Sequence, residues 1–129
     1  CQVILPRLKT DLVQIISSAT KNKLRKIKIK WKKKKCMTIV LCSKGYPGKY
    51  KKNKHIQNLK KIKMKKETFI FHAGTKLKNK KIFSTGGRVL NITSSGENFS
   101  LIRKKIIKTI KKLNWAHGFF RKDIGWRVI

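Results

Sequence analysis

The sequence predicts an α+β fold, a small antiparallel β-sheet or barrel-like domain with one amphipathic helix packed on it and a shorter helix ahead of it. Three observations carry this. Cys36 to Cys42 (CMTIVLC) is a short apolar run rich in β-formers. Phe99, Ile102, Ile106, Ile110 and Leu113 recur at steps of 3, 4, 4 and 3 residues, the period of a helix with one apolar face. Between them, short β-prone runs alternate with Gly- and Asn-containing turn signals.

Each element follows in order. Over Thr10 to Thr20, Leu12, Ile15, Ile16 and Ala19 fall at helical spacing, with Thr10 available as N-cap and Asp11 favourable in the first turn. Lys21 to Lys35 is Lys at most positions and reads as a solvated connection, so a domain boundary is placed within it, dividing residues 1–30 from 31–129. The run ending at Cys42 is a buried strand, stopped at Ser43 by the turn chemistry of Gly45-Tyr46-Pro47-Gly48. Thr68 to Phe71 forms the next strand. Leu77 to Lys80 turns the chain back into Ile82 to Thr85, and after Gly86-Gly87 a further strand runs from Arg88 to Thr93. The helix over Asn98 to Leu113 has a basic outer face, the ordinary state of a surface helix. In the tail, Trp115, Phe119, Phe120 and Trp126 are expected to pack a closing strand on the sheet while Asp123 pairs with an Arg; stacking of bases on these aromatics is the other use of such a pattern.

The length of 129 residues suits one full core, and a chain opening on Cys1 in mid-pattern reads as a fragment. No apolar run approaches the ~20 residues of a membrane-spanning helix, so no membrane partner and a cytoplasmic location are expected. The formal charge is +32, from 36 basic residues against Asp11, Glu67, Glu97 and Asp123. Such a surface attracts polyanions at low salt through counterion release. Only six of the 36 cations are Arg, however, whereas groove-reading surfaces favour Arg for its bidentate fork. The excess fits compositional drift better than a selected nucleic-acid site, and any such binding is expected to be non-specific. Cys36 and Cys42 would lie ~20 Å apart along a strand, beyond disulfide or shared-metal reach, and read as core thiols. His55, His72 and His117 are too scattered to suggest a zinc site.

Five segments then acquire a common meaning: CQVILPRLKTDLV at 1–13, GYPGKY at 45–50, FHAGT at 71–75, GGRVLNIT at 86–93 and RKDIGWR at 121–127. In order and spacing the chain resembles the C-terminal region of the phosphoribosylamine-glycine ligase family. The resemblance implies an ATP-grasp ligase of purine biosynthesis, in which ATP phosphorylates glycine and the amine of 5-phosphoribosylamine displaces phosphate to give glycinamide ribonucleotide. Residues 1–30 would then be the end of the ATP-grasp domain, its last helix included, and 31–129 the C-terminal domain. ATP and Mg²⁺ would be bound mainly by segments upstream of Cys1, so that this chain, expected to be monomeric, is inactive alone. The departures from the family pattern are the Lys-rich stretches 21–35 and 49–66, and Asn53 where the family often has Gly, a mild change because Asn tolerates a left-handed backbone. A small lysine-rich nucleic-acid-binding module of ribosomal-protein type is the alternative that charge supports and the motifs do not; a structural domain without activity is the third.

Arg88 is the first candidate for substrate contact, because a planar guanidinium suits a phosphate or carboxylate and Gly86 and Gly87 let backbone approach a bound group. His72, Gly74 and Thr75, at the end of the preceding strand, are placed with it. Structural roles compete at each position: a turn at Gly86-Gly87, a solvated Arg88, a hydrogen-bonding His72. Arg7 is either a brace for an upstream metal loop or a surface residue. No catalytic group and no metal ligand is assigned within the chain.

Overall fold

The computed structural model describes residues 1–63 and 66–129. The Lys-rich stretch 49–66 therefore includes two positions, 64 and 65, that lie outside the described residues.

Strands β1 (Lys35–Ser43), β2 (Thr68–His72), β5 (Arg88–Gly96) and β6 (Gly118–Phe119) form one antiparallel sheet in the order β2-β5-β1-β6. Strands β3 (Thr75–Lys78) and β4 (Lys81–Ser84) form a separate hairpin. The four-stranded sheet stays open, so of the sheet and the barrel-like closure it is the sheet that forms. The hairpin turns on Asn79 and Lys80, both left-handed (φ 49° and 59°), as a two-residue turn matching the twist of its strands requires. Asn53 also sits in the left-handed region, at φ 57°.

The core lies on one face of the sheet. Alternation along β1 and β5 puts Ile39 and Leu41 beside Ile92 and Leu90, and these share one buried cluster with Ile102, Ile106, Ile110 and Leu113 of α2 (Phe99–Leu113). The helical stripe read from sequence is thus the stripe that is buried. Asn98 caps α2, its side chain accepting the N–H of Leu101 at 3.2 Å, and Asn114 ends it in a left-handed turn at φ 44°. Asn98→Ala is expected to cost about 1 kcal/mol, read as a lower urea midpoint at unchanged slope.

The opposite face is more polar. Thr93 donates its hydroxyl to Thr38 at 2.8 Å, Thr38 donates to the Ile92 carbonyl at 3.3 Å, and Phe69 and Phe71 stack with centroids 6.0 Å apart. The N-terminal segment stands across a cleft of about 720 Å³ from these rings, bringing Leu5, Pro6 and Arg7 to its wall. That segment is tied by backbone bonds from Lys9 to Lys30 (2.9 Å) and from Lys32 to Arg7 (2.7 Å).

The first helix, α1 (Leu12–Thr20), starts differently from the sequence expectation. Asp11 is the cap, accepting the Gln14 N–H at 2.9 Å, while the Thr10 hydroxyl accepts the N–H of Lys30 at 2.7 Å. A partner twenty residues away takes the hydroxyl, and the next residue caps in its place. No residue of α1 is buried, and Val13 is 73% exposed. Most of the tail behaves as expected: β6 pairs with β1 at Cys42 and Ser43, Trp115 is buried, and Arg121 holds Asp123 through bonds of 3.1 and 2.5 Å. Arg121 keeps the Asp123 carboxyl below its usual range. Trp126 departs from the packing expected of it: it is exposed, with the Arg127 guanidinium 5.1 Å from its ring centre.

Candidate functional site

Three turns meet at one end of the sheet, following β1, following β2 and preceding β5. The fold thereby gathers all six sequence candidates, His72, Gly74, Thr75, Gly86, Gly87 and Arg88, into one place, and adds Ser43 and Tyr46. Ala73 and Gly74 donate N–H groups to the carbonyls of Val89 (3.0 Å) and Arg88 (2.9 Å). Thr85 donates to the Gly74 carbonyl at 2.7 Å. From the other side Ser43 donates its N–H to the Gly87 carbonyl at 2.7 Å and its hydroxyl to the Gly86 carbonyl at 2.9 Å.

The geometry gives the glycines a packing role beside the ligand approach expected of Gly86 and Gly87. A Cβ on Gly74 would lie 2.7 Å from both the Arg88 carbonyl oxygen and the Gly86 α-carbon, and one on Gly87 would lie 2.0 Å from Cδ2 of Tyr46. One on Gly86 would meet the Gly74 α-carbon at 3.3 Å. The space at Gly74 and Gly87 is thus filled by the protein itself. These glycines let three loops close on one another.

The register of the strand pair shifts at Arg88. Leu41 faces Leu90, yet Cys42 faces Arg88, so the ladder is irregular here and β5 carries one more residue than β1. Such bulges turn a side chain and end regular pairing. Arg88 is exposed and, among the described residues, takes part in no salt bridge. Its charge is felt at Cys42, where burial pushes the thiol pKa up and the Arg88 cation partly offsets the rise. His72 is exposed too, its Nδ1 2.9 Å from the Thr75 hydroxyl. That contact joins two of the candidates and fits the structural role weighed for His72.

Arg7 lies away from this knot, at the wall of the cleft beneath Phe69 and Phe71. The same cleft holds Lys34 and Glu67 as an ion pair, which keeps the Glu67 carboxyl below its ordinary range and raises Lys34. Among the described residues no group of three or more His, Cys, Asp or Glu is placed to hold a metal ion. Sequence reasoning named GYPGKY as a motif but did not place Tyr46 or Ser43 at the site. The motif was the available signal; its position against Gly87 was not.

An antiparallel sheet backed by one helix, with the exposed Arg88 where its end loops meet, defines a small α+β domain. The family profile described as phosphoribosylglycinamide synthetase, C domain, matches residues 36–127, and the chain belongs to that family. It is 42% identical over its full length to a phosphoribosylamine-glycine ligase of Agrobacterium fabrum, covering 30% of that protein. With the chloroplastic phosphoribosylamine-glycine ligase of Arabidopsis thaliana it shares 38% identity, again over all of this chain and 25% of the relative. A solved phosphoribosylamine-glycine ligase from Thermotoga maritima superposes with a TM-score of 0.62 at 27% identity, over 84% of this chain and 27% of that one. The chain thus spans less than a third of the length of these relatives.

Proposed function

We propose that the chain is the C-terminal part of an ATP-dependent ligase that joins glycine to 5-phosphoribosylamine through a glycyl phosphate, and that its share of the work is to present Arg88 to an anionic group. The observation that carries this is the convergence of GYPGKY, FHAGT and GGRVLNIT, far apart in sequence, at one end of the sheet around an arginine free of carboxylate partners among the described residues. Both proposed substrates and the acyl phosphate carry an anionic end, which a guanidinium can grip through paired N–H donors. ATP and Mg²⁺ belong on this reading to the rest of the protein, where Mg²⁺ would supply charge neutralisation at the transferring phosphate. Residues 1–30 would complete the ATP-grasp domain and 31–129 form the C-terminal domain. The unburied apolar side chains of α1, Leu12, Val13 and Ile16, fit a helix that packs on further chain.

A monomeric, cytoplasmic enzyme is the form we assign. No helix among the described residues is long and apolar enough to cross a membrane. Polyanion attraction is assigned to the charge and not to the site: Lys44, Lys49, Lys51 and Lys54 line one cavity, and Lys105, Lys108 and Lys112 of α2 line another. The reading is tested by assaying glycinamide ribonucleotide formation with the 129-residue chain and with the same chain joined to its upstream domains. The chain alone is expected to match a buffer control and the joined protein to turn over; turnover by the chain alone, or none by a folded joined protein, would refute the assignment.

A further inference from the structure

We infer that Tyr46 is a positioning residue for Arg88, acting through Gly87; this rests on the reading of Arg88 as the cation that grips substrate. Glycine immediately before a working side chain is a loose joint, since without a Cβ it reaches conformations closed to other residues. Here the joint is packed. The Tyr46 ring lies so close to the Gly87 α-carbon that a Cβ would sit 2.0 Å from Cδ2 and 2.6 Å from Cε2. The half-buried ring meets Tyr50 edge-on, with centroids 6.1 Å apart. The peptides on either side are pinned by hydrogen bonds, Gly86 and Gly87 by Ser43 and the Arg88 carbonyl by Gly74. Those bonds fix carbonyl directions, while the flat ring against the α-carbon restricts rotation at Gly87 itself. The root of the Arg88 side chain is therefore held on three sides while its guanidinium stays free, the arrangement a precise binding cation needs.

The test is a double-mutant cycle in the full-length ligase, read as kcat and KM for glycine and for 5-phosphoribosylamine. Tyr46→Ala is expected to lower kcat/KM by ~5- to 50-fold, no more than Arg88→Ala, and to act on the same substrate. Tyr46→Phe keeps the ring and is expected to restore what Tyr46→Ala loses. In the Arg88→Ala background Tyr46→Ala should cost nothing further, because its effect runs through a side chain already removed. Full additivity of the two losses overturns the inference, as does unchanged kinetics in Tyr46→Ala beside an impaired Arg88→Ala. Unchanged kinetics in Arg88→Ala would instead sink the reading of Arg88, and the inference with it, by a different signature. If Tyr46→Ala does not fold, Tyr46→Leu, which keeps apolar bulk but not a planar face, takes its place in the cycle.

Discussion

Arg88→Ala in the full-length ligase is expected, on the role proposed for Arg88, to cut kcat/KM by ~10- to 150-fold, equivalent to about 1.5 to 3 kcal/mol, for one of the two anionic substrates. The fold should survive, because the side chain is exposed and, among the described residues, in no salt bridge. On that proposal the variant loses a charge-assisted contact and not packing. Arg88→Lys is expected to recover part of the activity, since an ammonium keeps the charge but lacks the planar fork. A structural arginine would give the reverse pattern, a lower melting temperature with kinetics per folded molecule unchanged. Measuring both quantities on one variant therefore decides between the roles, and wild-type kinetics in a well-folded Arg88→Ala would remove the ligand assignment.

Ile106→Ala is expected to destabilise the domain by about 2 to 5 kcal/mol and to lower its melting temperature by on the order of 10 °C. Ile106 is fully buried, at the middle of the α2 stripe and within the cluster shared with Ile39, Leu41, Leu90 and Ile92. Truncation there removes apolar burial and leaves a cavity between helix and sheet that β1 and β5, locked in register, cannot close. Leu101, on the exposed side of the same helix, is the control: Leu101→Ala should change stability by no more than about 0.5 kcal/mol. Equal losses in the two variants, followed by thermal and urea unfolding, would show that α2 does not pack as described.

The sequence by itself determined the elements whose signals are local. The period of Phe99, Ile102, Ile106, Ile110 and Leu113 named both a helix and its buried face, because every residue of that stripe answers to one neighbouring surface. The CMTIVLC run was legible for the same reason, as were a turn within Leu77 to Lys80, which the structure narrows to Asn79 and Lys80, and the pairing of Asp123 with an arginine, which the structure identifies as Arg121. The five motifs, read together, carried the family. Only the tertiary structure decided what depends on chain closure. It gave the Thr10 hydroxyl a partner at Lys30 and so made Asp11 the cap. It set the register at which Cys42, and not its neighbour, faces Arg88. Most of all it assigned the glycines: Gly74 and Gly86 press against each other, and Gly87 against Tyr46, across separations of a dozen residues or more. A glycine in sequence announces that something comes close, but what comes close is fixed by the pairing of distant strands, and no local pattern encodes it.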